Sequence, residues 1–475
     1  MAKSLSFQHL NMQKNLVLLS IAFMAIGCSE TKTTKDINTS VHIETKPKKI
    51  KNHFTQDKSK KAFSKPVKGL SREEEHTFTL GKSFFSVPWV TSPASTTSRD
   101  GLGPLFSANT CIHCHPRLGA GVAVSKDGHM TRSYLIRLSH VSSNDMKTLA
   151  TVGFKPDSTY GAQLSRNGNR NVPAEGQSIV SYTDINGTYP DGTTYTLRKP
   201  HYTVVNLGYG KLDKETIIAG RIGSALVGLG HLEDIAQKDI LAYEDVNDSN
   251  GDGISGKANY AFDPETNTTK LGRFTWKASA VSVKHQSAAA AHNDMGLSTP
   301  LFPKHNCTEK QVECLKNITA SGFAHDLPKH RLDAITYYLS NLAVPKQREP
   351  KKHKEGAKIF ASLNCTSCHV PAFKTVSGID IKPYTDLLLH DMGEGLADGR
   401  SEFLASGVEW RTAPLWGKGL HEKVSGEVNY LHDGRARSLE EAILWHGGEA
   451  EASKKEFMAL DKKSRQKVLK FLNSI

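Results

Sequence analysis

Two pentapeptides carry the residue types best placed to do chemistry: Cys111-Ile112-His113-Cys114-His115 and Cys365-Thr366-Ser367-Cys368-His369. Two thiols with two residues between them, followed at once by an imidazole, suit covalent attachment of haem. The sulfurs add to the two vinyl groups on one porphyrin edge, and the histidine turns beneath the ring to ligate iron. Paired cysteines also hold zinc or run thiol redox chemistry. Zinc has no need of the extra histidine at both copies, and a redox CxxC sits in a βαβ context that is absent here. The expectation is one c-type haem on Cys111 and Cys114 with His115 as proximal ligand, and a second on Cys365 and Cys368 with His369.

The chain has 475 residues and seven cysteines. An odd cysteine stands near the start, in Ala25-Ile26-Gly27-Cys28, after an apolar run of eleven residues from Leu16 to Ile26. That run is too short to span a bilayer and has the length of a signal-peptide core. Small residues before Cys28 resemble a bacterial lipobox, so residues 1–28 are expected as a lipoprotein signal peptide with Cys28 as the lipidated residue. Ser29 directs the anchored protein to the outer membrane, on the periplasmic face. In that oxidising setting, with the other two pairs assigned to haem, Cys307 and Cys314 are expected to form a short-loop disulfide.

The formal charge of +13 is concentrated in residues 31–70, where eleven lysines face three acidic residues. That stretch has no hydrophobic period, and residues 29–69 are expected as a disordered tether near anionic lipid, not as a nucleic-acid surface.

The elements that must position the pentapeptides follow from period and punctuation. Leu332, Ile335, Tyr338, Leu339 and Leu342 recur at helical spacing up to Pro345,. "GPLFSANTCIHCH" and "EGAKIFASLNCTSCH" read as helices leading into the pentapeptides, and residues 453–475 as a closing amphipathic helix. Residues 150–270 alternate Asn-Gly and Asp-Gly turns with strand-like runs such as Thr194–Gly210,. The expected fold is mainly α: a cytochrome c-like domain over 70–345 with a loop- and strand-rich insertion near 150–270, and a second cytochrome c-like domain over 350–475.

The C-terminal "NYLHDGRARSLEEAILWHGG" resembles a segment of the bacterial di-haem cytochrome c peroxidases. In that superfamily the matching helix delivers the distal ligand, usually methionine, to the C-terminal haem, and here the matching residue is His446. Ser438 and Glu441 read as a capping box, and Gly447-Gly448 as the stop. The resemblance therefore implies a bis-histidine second haem, His369 with His446; Met392 is the rival ligand. "RFTWKASAVSVKHQSAAAAHNDMG" resembles the segment beside the peroxidatic haem and implies Trp276 as electron relay and Gln286 and Asp294 as catalytic residues. The acid is Asp where the superfamily has Glu, and stands two residues earlier. Together with "HDMGEGLADGR" and "EWRTAPLWG", these phrases resemble a di-haem thiol oxidoreductase or peroxidase subfamily over the chain from about residue 70.

In "DVNDSNGDGISGK" Asp248, Asn250 and Asp252 alternate ahead of Gly253, a calcium-loop pattern without the twelfth-position Glu,. His129 and Met130 are further candidates for a sixth ligand of the first haem. The implied activity is peroxidase-type reduction of hydrogen peroxide, with a cytochrome or cupredoxin as electron donor. A substrate-free electron carrier, or an enzyme oxidising a protein, thiol or iron substrate, are the alternatives.

Overall fold

The computed structural model describes residues 51–475 except 126–128, 142 and 319–320. Cys28, the signal segment and the first part of the tether lie outside the described residues.

The helices that matter for the site are α1 (Arg72–Ser86), α2 (Val283–Met295), α3 (Lys329–Ser340), α4 (Lys354–Ser362), α5 (His421–Ser425), α6 (Leu439–Leu444) and α7 (Lys462–Ser474). The strands are β1 (Tyr134–His140), β2 (Gln177–Thr188), β3 (Thr194–Val205) and β4 (Thr216–Ile222). A capping box starts α1: Ser71 Oγ accepts from the Glu74 N–H at 3.2 Å and the Glu74 carboxylate accepts from the Ser71 N–H at 2.7 Å,. Its inner face buries Phe78, Phe84 and Phe85 against α3, whose own buried face is Leu332, Ile335, Tyr338 and Leu339. A Cβ at Gly81 would stand 1.9 Å from the Ala334 carbonyl oxygen, so only glycine permits this crossing.

The expectation of a mainly α protein with two cytochrome c-like domains is corrected. The fold is mixed, about 30% helix and 20% strand. The described strands form seven two-stranded sheets. The physical reason is local closure: a turn-rich stretch pairs with itself. Strands β2 and β3 form a twelve-pair antiparallel hairpin, Gln177 facing Val205 through to Thr188 facing Thr194. Its loop is closed by the Tyr189 N–H to the Thr193 carbonyl at 2.8 Å, with Gly192 at φ 83. Strand β1 lies outside the expected insertion, yet pairs antiparallel with β4 from Tyr134–Ile222 to His140–Thr216. The described residues belong to one compact unit, and the main apolar cluster draws on residues from Ala62 to Ile475, with a second under β1 and β4 built on Tyr134, Ile136, Leu138 and Ile222. Fully burying a large apolar side chain in it contributes about 1.5–3 kcal/mol.

Three local expectations change as well. Residues 51–69 belong to the fold and not to a tether: Phe54–Thr55 pairs with Val344–Pro345, and Ala62 and Phe63 are 0% exposed. A few well-placed apolar residues suffice there, and they have no period to reveal them. The segment before Cys111 is no helix; Leu105–Phe106 pairs with Asn167–Gly168. The closing helix is two, Glu451–Ala459 and α7, because Asp461 caps the second by accepting from the Ser464 N–H at 3.0 Å,. Among the described residues no helix is long and apolar enough to cross a membrane.

Candidate functional site

Cys111 opens a single 3-10 turn, Cys111–His113, which brings Cys114 and His115 back beneath it. His115 Nδ1 lies 2.8 Å from the Ser224 carbonyl oxygen. A carbonyl only accepts, so Nδ1 carries the proton and Nε2 keeps its lone pair for a metal. Ser224 follows the end of β4, so strand pairing positions the partner of the histidine. Gly223 lets the ring approach: a Cβ there would stand 2.8 Å from His115 Cε1. Burial lowers His115 to about 4, which keeps the imidazole neutral.

The second pentapeptide repeats the device. Helix α4 leads into the turn Cys365–Ser367, and His369 Nδ1 donates to the Tyr384 carbonyl at 2.9 Å. Burial lowers His369 to about 4, and nearby His446 contributes to that lowering. His446 Nδ1 donates in turn to the Ala442 carbonyl at 2.7 Å, again leaving Nε2 free. His446 is thus within electrostatic reach of His369. Helix α6 ends at Leu444, one residue before its cap Trp445, so His446 stands just past the last turn. The capping box is only half formed: Ser438 Oγ accepts from the Glu441 N–H at 3.1 Å, while the Glu441 carboxylate takes the Arg437 N–H at 2.9 Å. Met392 belongs to the same neighbourhood, its carbonyl oxygen 3.0 Å from where a Cβ on Gly447 would be.

The four pentapeptide cysteines are free thiols, not two disulfides. Burial pushes Cys111 and Cys365 up to about 12 and raises Cys114 and Cys368. Beside Cys368, His390 bridges two carboxylates, Nε2 to Asp386 at 2.8 Å and Nδ1 to Glu449 at 2.7 Å. Burial alone would lower His390, but these bonds raise it well above its ordinary value.

A cavity of about 550 Å³ is lined by Cys111, Cys114, His115, Trp276, Gln286 and Asp294, among others. That volume is ample for a large cofactor. Helix α2 supplies one wall. Ser282 caps it by accepting from the His285 N–H at 3.0 Å, and Gly296 ends it at φ 65. Gln286, Ala289, Ala290 and Asp294 from this helix line the cavity, the alanines leaving room between the polar groups. Asp294 is raised by burial, an effect that Arg137, 3.6 Å away, partly offsets. Its Oδ1 has no hydrogen-bond partner. Trp276 donates Nε1–H to the Ile222 carbonyl at 2.9 Å, and its own carbonyl accepts from the Arg411 N–H at 2.9 Å. It therefore ties the β4 end beside His115 to the C-terminal part of the chain.

Other expected residues fall elsewhere. Asp248, Asn250 and Asp252 lie in an exposed loop and cap its own N–H groups: Gly253 to Asp248 at 3.1 Å, Asp252 to Asn250 at 2.8 Å, Ile254 to Asp252 at 2.9 Å. Cys307 and Cys314 are joined as a disulfide with Cα atoms 5.8 Å apart. His129 is exposed, and Met130 Sδ accepts from Ser178 Oγ; neither lines the cavity. Sequence reasoning missed Arg137, Ser224 and Tyr384, and also Arg411, Lys418 and His421 on the cavity wall. Lone basic residues and backbone carbonyls carry no motif, although "EWRTAPLWG" contains Arg411.

Two CxxCH turns of the same design, one of them opening onto a large cavity with an acid and an amide on its wall, make up the candidate site. The model of the family described as "Di-haem oxidoreductase, putative peroxidase" matches residues 41–475, and the chain belongs to that family. No curated protein and no solved structure matches it. Haem is the cofactor and oxidoreductase the class that membership carries. The residues fit that cofactor: three neutral histidines present free Nε2 atoms, and two thiol pairs stand beside them protonated and unlinked.

Proposed function

We propose that the protein is an exported c-type di-haem peroxidase that reduces hydrogen peroxide at the haem of Cys111, Cys114 and His115, with electrons supplied through the haem of Cys365, Cys368, His369 and His446. Bound haem would supply the electron-transfer and O–O cleavage chemistry. The observation that carries the reading is Asp294, a largely buried carboxyl on the cavity shared with His115, whose Oδ1 accepts no hydrogen bond and faces Arg137 at 3.6 Å.

The reaction takes up two electrons and two protons per peroxide and releases two waters. Asp294 accepts the proton of one peroxide oxygen and returns it to the other as that oxygen leaves. Its raised affinity for protons suits the role, and Arg137 limits the rise so that the carboxylate form stays accessible. The Gln286 amide orients the peroxide by hydrogen bonding. Trp276, bonded to the Ile222 carbonyl and to the Arg411 N–H, is the proposed relay for those electrons. A small redox protein, cytochrome or cupredoxin, is the proposed donor. Cys28 anchors the chain to the periplasmic face of the outer membrane, and Asp248, Asn250 and Asp252 are the proposed calcium loop.

The test is peroxide-dependent oxidation of a reduced donor cytochrome by the purified holoprotein. Asp294→Asn, at unchanged haem content, should lower kcat/KM by about 10²–10⁴-fold. An unchanged rate in that variant would remove Asp294 from the mechanism; two haems inert to peroxide in the parent protein would make it an electron carrier.

A further inference from the structure

Five cationic side chains line the cavity, and three have a carboxylate partner. Arg137 stands 3.6 Å from Asp294, Arg400 3.1 Å from Glu402, and Arg221 contacts Asp398. Arg411 and Lys418 have none. Arg411 is 8% exposed; Nε donates to the Thr275 carbonyl at 2.9 Å and Nη1 to that of Thr412 at 3.0 Å, which leaves Nη2 over. The acid whose charge reaches it, Asp386, is already bonded to His390. The Lys418 side chain makes no hydrogen bond or ion pair among the described residues. Beside it His421, 2% exposed, has both ring nitrogens without a partner. Burial lowers Arg411 to about 10 and Lys418 to about 8, with Arg411 lowering Lys418 further. A buried Arg411 and a partly buried Lys418 share one cavity wall without a carboxylate partner, an arrangement that is destabilising unless an anion joins them,.

The missing charge has the value of one haem, whose porphyrin bears two propionate carboxylates. We propose that Arg411 and Lys418 are the counter-charges for the two propionates of the haem tethered at Cys111 and Cys114, with His421 as a neutral hydrogen-bond donor beside them. The cofactor held by the N-terminal pentapeptide is then gripped by residues of the C-terminal part, and its charge is set from there. Arg411 also binds the Trp276 carbonyl through its own N–H, so the same residue that balances the haem holds the proposed relay. The inference rests on the covalent-haem reading of Cys111–His115 and is independent of peroxide as substrate.

The experiment is a spectropotentiometric titration of the holoprotein, with resonance Raman of the propionate bending modes, on Lys418→Met, Lys418→Arg and Arg411→Met. Loss of a cation leaves the propionate charge uncompensated and favours ferric iron. Lys418→Met and Arg411→Met should lower the midpoint of one haem and shift its propionate mode, while Lys418→Arg restores both. That haem should be the one whose midpoint a His446→Gly variant leaves in place. Lys418→Gln, neutral but hydrogen-bonding, replaces Lys418→Met if the latter does not accumulate, with the same midpoint expected to fall. Unmoved midpoints and modes in folded variants carrying two haems would overturn the proposal. Fewer than two haems per chain in the parent protein would instead overturn the haem reading beneath it.

Discussion

The resemblance to the bacterial di-haem cytochrome c peroxidases implies that His446 stands at a methionine position of that superfamily, and the exchange of imidazole for thioether would have a direct electronic consequence. A thioether favours ferrous iron more than an imidazole does, so His446→Met should raise the midpoint of the C-terminal haem and change its low-spin spectrum. A titration that leaves both unaltered would return Met392 to candidacy. At this scale the sequence was informative wherever the chemistry is contiguous. The two CxxCH pentapeptides are legible because thiols and ligand adjoin along the chain. The groups that orient the ligands are not, because they are backbone carbonyls: Ser224 lies 109 positions from His115, and Tyr384 lies 15 from His369. Nothing in a carbonyl's residue type announces its use.

The β2–β3 hairpin shows how elements serve the site. It lies along the segment that leads to His446: Arg198 donates to the Gly434 and Arg435 carbonyls at 3.0 and 2.9 Å, Tyr189 to Glu440 at 2.8 Å, and Tyr202 to Asp433 at 2.7 Å. Asp433 is 0% exposed and also binds Arg435 at 2.7 Å. Burial would raise its carboxyl, but His432, Arg435 and the hydrogen bonds hold it far below its ordinary 3.8. A carboxyl lowered on folding stabilises the protein above its unfolded value, and that stability is lost as pH falls below 3.8 towards the folded value,. Asp433→Asn should therefore destabilise by about 3–5 kcal/mol at pH 7, because Arg435 is left buried and uncompensated. It should also flatten the acid limb of a denaturation series; equal acid lability in both proteins would show that Asp433 does not carry it. The α1–α3 crossing gives a second expectation. Gly81→Ala forces a methyl group into the Ala334 carbonyl and should cost about 1–3 kcal/mol by chemical denaturation, and a neutral effect would refute the close crossing,. The helical periodicity around Leu332–Leu342 announced α3, but the hairpin's role did not show. Its inner face is only half buried and Ile179 stands on the exposed face, so no clean apolar alternation marks the buried side.

Across the whole molecule, duplicated pentapeptides suggested duplicated domains, and that inference overreached. A covalent cofactor motif fixes attachment, not architecture. The main apolar cluster takes residues from both halves, from Ala62 to Ile475, and the end of strand β4 delivers Ser224 to His115. The lysine-rich start misled in the same way, since Phe63 and its neighbours pack into that core although charge dominates the composition around them. Both CxxCH turns lie in one compact unit, which suits the proposed catalyst, whose two electrons must arrive together. The most direct measurement is an anaerobic titration of the fully reduced protein with hydrogen peroxide, followed by haem absorbance. One equivalent per chain should reoxidise both haems, with a rate that collapses in Asp294→Asn. Haems that stay reduced through several equivalents of peroxide would contradict the account.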